Sequence, residues 1–292
     1  MPRVVWYGNN EGMYRGWYDQ AIFEWLFKDF EHTEGPQSLQ DGVGSVVVLP
    51  GRSLVGQEDK IAQELNKCPW VYLVVAGDEE RKFDISKIKH PNMKVMCQNP
   101  KPGLDDKHRK IGCGWTPHTV RGELPTKELD WVFMGQVTHS RRQECVEQLR
   151  NMPNGYLLES EGFTQGLKPE EYNEKMSQAK IVPCPSGPVT PDNFRLHEAL
   201  ELGCIPIADE ITGNGEHWKG YWEWIFGEPV PFPVIEDYES LPGYINDCLD
   251  KFPQLNNECQ AFWMRYKDKL RLQIQGDIMK LNETVQNKIM SG

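Results

Sequence analysis

The stretch IVPCPSGPVTPDNFRLHEALELGCIPIADE, residues 181–210, decides the reading of this chain. Four apolar residues run into a Pro- and Gly-containing turn, which reads as a buried strand ending in a tight loop. Thr190 then predicts a helix N-cap, Pro191 suits the first helical position, and Gly203 stops the helix before a second strand at residues 205–208. Strand, loop, helix and strand in that order make a βαβ unit and hence a parallel sheet. Arg195 and Glu198 lie three apart and share a helix face near its start. A helix N-terminus and a guanidinium together attract phosphate, and a carboxylate accepts hydrogen bonds from vicinal hydroxyls, so the pair suits a nucleotide-sugar. The same spacing also fits a plain i,i+3 surface ion pair.

Outward from this unit the pattern repeats. Strands are predicted at residues 131–134, 156–158 and 180–183, and helices at 140–151, 169–178 and 193–202. The N-terminal half shows the same alternation, with strands at 4–7, 45–49, 70–76 and 94–97 and helices at 16–30 and 56–65. Residues 99–122 carry Pro, Gly, Trp and charge without a period and read as an irregular approach to a linker. The boundary is placed near residues 123–127, giving a domain of residues 1–125 and another of residues 126–292. Residues 255–290 are again helical in pattern, with an interruption expected at Gly276.

The chain has 292 residues with 32 Lys plus Arg against 43 Asp plus Glu, a net charge of −11. That length suits two domains with full-sized cores. A hydrophobic fraction of 39% and a charged fraction of 26% exclude a disordered or collagen-like chain. The acidity works against broad attraction to nucleic acid or anionic membranes. No apolar run is long enough for a membrane span, and MPRVVWYGNN does not read as a cleavable signal, so a cytoplasmic protein is expected. The eight cysteines form no CxxC pair and are expected to be free and mostly buried.

The run in residues 181–210 resembles the exostosin-like glycosyltransferases. The likeness rests on Pro183, Pro185, Ser186 and Gly187, then Arg195, Glu198, Ala199 and Leu200, then Gly203, Cys204, Ile205 and Pro206. Residues 131–136 with Arg141 and Arg142 resemble that family's entrance to its donor domain. The resemblance implies an α/β fold of two Rossmann-like domains facing across a cleft (GT-B), with the donor nucleotide in the C-terminal domain and the acceptor approached from the N-terminal one. It also implies base and ribose contacts from Pro183, Pro185, Ser186 and Glu198, with the diphosphate met by Arg195 and the Gly135 loop and Asn193 among the donor-binding residues. The expected partners are a nucleoside-diphosphate sugar as co-substrate and a glycan acceptor, with a hydroxymethylated base in viral DNA as second choice. A compact bacterial or viral relative fits a chain without an anchor.

Other residues are weighed on local chemistry. Gly135 and Gln136 end a strand and precede Thr138, Ser140, Arg141 and Arg142, which offer N–H groups and guanidinium to a diphosphate or form an ordinary solvated turn. Gly8, Gly12 and Gly16 do not match the dinucleotide GxGxxG spacing, so their loop is read as offering Asn9, Glu11, Tyr14 and Arg15 to an acceptor, or as a bare turn. An inverting transfer needs a base, for which Asp78 is the first choice and Asp19 the second, with caps and turn residues as the alternative. His118 is a further candidate. No Asp-x-Asp, His-x-His or HExxH occurs, so a metal-independent reaction is expected, with arginines and helix dipoles taking the leaving-group charge. The aromatic cluster from Trp218 to Phe226 reads as a core-facing helix. A nucleotide-sugar epimerase and a non-catalytic carbohydrate-binding protein remain as alternatives on the same fold.

Overall fold

The structure, a computed structural model, describes residues 2–8, 21–119, 121–122, 125–162 and 165–291. It divides into two compact units, residues 1–113 with 267–292 and residues 114–266. The observed break thus precedes the 125/126 boundary expected from the sequence. The last part of the chain clusters with the first unit, not the second.

The first unit is a six-stranded sheet of β1 (Arg3–Trp6), β2 (Glu31–Glu34), β3 (Ser45–Pro50), β4 (Val71–Ala76), β5 (Met93–Gln98) and β6 (Arg109–Ile111). The order is β2-β1-β3-β4-β5-β6 and every pairing is parallel. β3 and β4 are buried at all six positions, as parallel strands covered on both faces must be. Alternate residues Val5, Val47, Leu49, Leu73 and Val75 join one apolar cluster with Ile61 and Leu65 of α2 (Glu58–Leu65), following the two-residue period of a strand. Helix α1 (Ala21–Leu26) ends before the expected limit at residue 30, and the first part of the expected 16–30 lies outside the described residues.

The second unit is a five-stranded sheet of β7 (Leu129–Gln136), β8 (Gly155–Ser160), β9 (Ala179–Cys184), β10 (Ile205–Asp209) and β11 (Val234–Ile235). Its helices are α3 (Ser140–Leu149), α4 (Pro169–Ser177), α5 (Phe194–Glu201), α6 (Tyr221–Phe226) and α7 (Leu241–Asp250). The order is β11-β10-β9-β7-β8, again all parallel. Strand order therefore reverses between β7 and β9, the topological switch point at whose carboxyl ends open α/β sheets bind ligands. β7 and β8 stay in register over six residue pairs, whereas β7 and β9 pair at Leu129↔Ala179 and Trp131↔Ile181.

Helix α8 (Gln254–Ser291) runs 38 residues without the expected break at Gly276, and supplies both units. In the first unit its Asp277 accepts hydrogen bonds from Lys94 at 2.6 Å and Arg109 Nε at 2.8 Å. In the second its Trp263 donates to Glu201 at 2.6 Å. Three of the α6 aromatic residues are buried as expected, Tyr221 and Trp222 fully and Phe226 nearly so, while Trp224 is half-buried. All eight cysteines are free and buried.

Candidate functional site

The site residues of the second unit lie at the carboxyl ends of β7 and β9, in the loops that follow them, and on α3 and α5, into which those loops lead. Helix α5 begins later than the sequence suggests: its N-cap is Asn193, whose side chain accepts from Leu196 N, while Thr190 Oγ1 accepts from Asp192 N in the turn before. Asn193 Nδ2 also donates to the carbonyls of Pro185 and Pro191 at 3.3 Å. Its role is to fix the loop and start the helix, and its side chain is spent on that.

Arg195, on the first turn of α5, is 8% exposed. Its Nε and Nη2 donate to Met134 O at 3.3 and 2.9 Å, and its guanidinium lies 4.5 Å from the Phe133 ring centroid. The switch point is thus bridged by a side chain where strand pairing has stopped. Gly135 has φ +152°, and a Cβ there would overlap Arg195 Nη2. Glycine at this position is what lets the guanidinium lie against the strand. Arg195 Nη1 is buried without a hydrogen-bond partner among the described residues. Among the described residues no carboxylate pairs with Arg195, so the i,i+3 ion pair is not formed.

Glu198 turns elsewhere. Its oxygens accept from Tyr172 Oη at 2.9 Å and Thr119 Oγ1 at 3.4 Å, and it is 3% exposed. Both oxygens are engaged inside the unit, which corrects the expectation of a carboxylate open to a ribose. Burial and the neighbouring Glu198 charge push the Tyr172 phenol well above its ordinary range.

Arg141 is corrected too. It is held by Asp209 through two hydrogen bonds of 2.9 and 2.8 Å, donates to Glu236 O, and lies over the Tyr238 ring. Asp209 accepts further from Tyr238 Oη and Ile211 N. Two residues into α3 the helix phase turns this arginine inward, and a buried acid takes the charge that the sequence reading assigned to a diphosphate. Arg142 Nη1 donates to Gln136 O at 3.2 Å, tying the helix start back to the end of β7. Pro183, Pro185 and Ser186 are buried, with Ser186 Oγ donating to Ile211 O at 2.6 Å.

In the first unit Asp78 follows β4 and has no exposed surface. Its oxygens accept from Lys82 N at 3.0 Å and Phe83 N at 2.9 Å, and Arg81 Nη1 lies 3.8 Å away. It closes a turn, and a base that must reach an acceptor hydroxyl is not free in it. Asp19, Asn9, Glu11, Tyr14 and Arg15 lie outside the described residues. Sequence spacing missed one cluster nearby, where Cys97, Asp105 and His108 converge. Arg81 fills it, giving Asp105 two hydrogen bonds of 2.9 and 2.7 Å. Burial raises the Cys97 thiol and lowers His108.

Sequence reasoning also missed His139. It is the N-cap residue of α3, with extended backbone at φ −151°, ψ 166°, yet its side chain does not cap. Burial, helped by Arg142, lowers its pKa to about 4. No motif marked it, because Thr138 and Ser140 on either side are the better capping residues by type.

No protein-family profile and no curated protein sequence matches the chain. Among solved structures it is similar to HepE of Anabaena in complex with UDP and glucose, with 11% identity over 96% of this chain and 100% of that one, at a TM-score of 0.50. It is also similar to a DNA-modifying β-glucosyltransferase, with 12% identity over 98% and 100% of the chains and a TM-score of 0.47. The T4 phage BGT with UDP-glucose gives 10% identity, 97% and 98% coverage and 0.44. The HepE likeness shows the fold, two parallel-sheet α/β units of the GT-B class, as expected from the sequence.

Proposed function

We propose that this chain is a glycosyltransferase that moves a sugar from a nucleoside diphosphate to a hydroxyl acceptor without a metal ion. The observation that carries the reading is Arg195: a buried guanidinium at the switch point, with one nitrogen lacking a hydrogen-bond partner and no salt bridge to an acid among the described residues. Burying such a charge is costly unless an anion completes it. A diphosphate bound there meets Arg195 Nη1 and the N-terminus of α3, both of which favour negative charge. As the glycosidic bond to the donor breaks, charge grows on the leaving diphosphate, and fixed donors stabilise it most when it is largest.

UDP-glucose is the first donor to test, supported by the ligands of the structurally similar HepE. The Pro183, Pro185 and Ser186 loop is assigned to the base, as the exostosin-like resemblance implies. Asp19 becomes the assigned base, since Asp78 is committed to its turn. A glycan hydroxyl is the first acceptor, because a net charge of −11 opposes DNA.

The test is calorimetric titration of UDP-glucose, GDP-mannose and ADP-glucose into wild type and Arg195→Gln. Loss of a charged hydrogen bond is worth about 1.5–3 kcal/mol, so affinity should fall about 10- to 150-fold with the fold intact. Equal affinity in the two proteins, or no binding of any donor, removes the proposal. Product formation on a glycan but not on a hydroxymethylated duplex settles the acceptor.

A further inference from the structure

His139 shares with Arg195 a property that the fold does not explain. Both ring nitrogens are shielded from solvent, and apart from a backbone contact at Ser186 neither has a hydrogen-bond partner among the described residues. The ring packs where the β9 and β10 loops are stitched together by Gly213 N to Gly187 O at 2.9 Å and Asn214 N to Pro188 O at 3.0 Å. A Cβ on Gly213 would come within 2.7 Å of the imidazole, so this glycine makes room for the ring. The His139 carbonyl, by contrast, is used, accepting from Arg142 N and Gln143 N. The backbone serves the helix, while within the unit the ring has only the Ser186 backbone to bond. A neutral imidazole carries one donor and one acceptor, and shielding the ring with one of the two left over is a cost that a Ser or Asn at this N-cap would avoid.

The ring sits four residues after Gly135, in the loop that leads from the strand end touched by Arg195. A buried guanidinium and a half-buried imidazole, each with a shielded nitrogen left over, therefore flank the start of α3. We infer that His139 is a positioning residue for the donor, its imidazole donating a hydrogen bond to an oxygen of the leaving diphosphate. This inference rests on the donor reading given above. The groups facing the ring are Arg142 and Arg141, which oppose its protonation together with burial, and Asp209 and the Ser186 backbone, which favour it. Phosphate oxygens beside the ring would shift that balance towards the charged form, so donor binding takes up a proton.

The experiment titrates the same three nucleotide sugars into wild type, His139→Ala, His139→Gln and Arg195→Gln. His139→Ala should weaken binding by about tenfold or more, and His139→Gln, which keeps a donor, should restore most of it. Wild-type affinity should rise as the pH falls from about 8 to about 5.5, where the donor diphosphate itself does not titrate, and the Gln variant should be flat. Wild-type affinity in both His139 variants, with binding still lost in Arg195→Gln, overturns the role of His139 and leaves the donor site standing. If no donor binds to wild type, the donor reading and this inference fall together. Should the variants unfold, the His139 imidazole resonances of wild type decide: an apparent pKa unmoved by donor refutes the contact.

Discussion

Gly135→Ala tests whether the end of β7 is shaped to hold Arg195. The backbone φ of +152° lies in a region that alanine rarely adopts, at a cost of about 1–3 kcal/mol. The new methyl would also overlap Arg195 Nη2, displacing the guanidinium from Met134 O, where it now lies at 2.9 Å. A hydrogen bond from a charged donor contributes about 1.5–3 kcal/mol, and the far end of a long side chain recovers part of that by moving. Taking about 3 kcal/mol in total, the melting temperature of the unit formed by residues 114–266 should fall by about 6–12 °C. Scanning calorimetry measures it, and donor titration should show a loss comparable to that of Arg195→Gln. The double variant Gly135→Ala with Arg195→Ala isolates the clash, because its cost should be smaller than the sum of the two single costs. An additive cycle, or a Gly135→Ala protein that melts and binds like wild type, would refute the reasoning.

Two further outcomes follow from the ion pairs. Arg141→Ala leaves Asp209 buried without its cation, and should cost about 3–5 kcal/mol by chemical denaturation while donor affinity of the folded protein is unchanged. A large loss of affinity with normal stability would return Arg141 to the donor site. For Asp277, burial alone would raise the carboxyl, but Lys94 and Arg109 together hold it below its ordinary range. Its folded pKa is depressed, so its stabilising share is complete above the ordinary carboxylate range and disappears as the pH falls through the folded value. Asp277→Asn should therefore melt below wild type at neutral pH and converge with it in acid.

The central strands were legible because burial on both faces leaves an unbroken apolar run, as in SVVVLP and VYLVVA. The strands that the sequence did not reveal are edges or nearly so. β2 is EHTE, β6 is RKI, and β11 is two residues long; each pairs along one side only and needs no apolar signature. Gly276 does not interrupt α8, since one glycine costs about 1 kcal/mol, which contacts along 38 residues outweigh. At the site, spacing placed Arg195 and Glu198 on one helix face, but not the partners that each would find there. Those partners, Met134 O for one and Tyr172 for the other, are 61 and 26 residues away in sequence. His139 had no signal at all, because its interest lies in how little its shielded ring bonds.

The charge carried by each buried arginine is what separates structure from function here. Arg141 and Arg195 are exposed to the same small degree, 7% and 8%, and both sit in the first turn of a helix at the carboxyl edge of one sheet. By sequence they are equal candidates for a phosphate. Asp209 neutralises the first with two short hydrogen bonds, so an anion arriving there would meet a pair already complete and an acid that repels it. The second rests on a carbonyl and an aromatic face, which satisfy part of its hydrogen bonding without cancelling its charge. A fold that placed Asp209 against one guanidinium had the same means of quenching the other. The unquenched cation at the point where β7 and β9 part is therefore the group whose energy would fall most on binding a diphosphate, which is why the proposed donor site is centred on it.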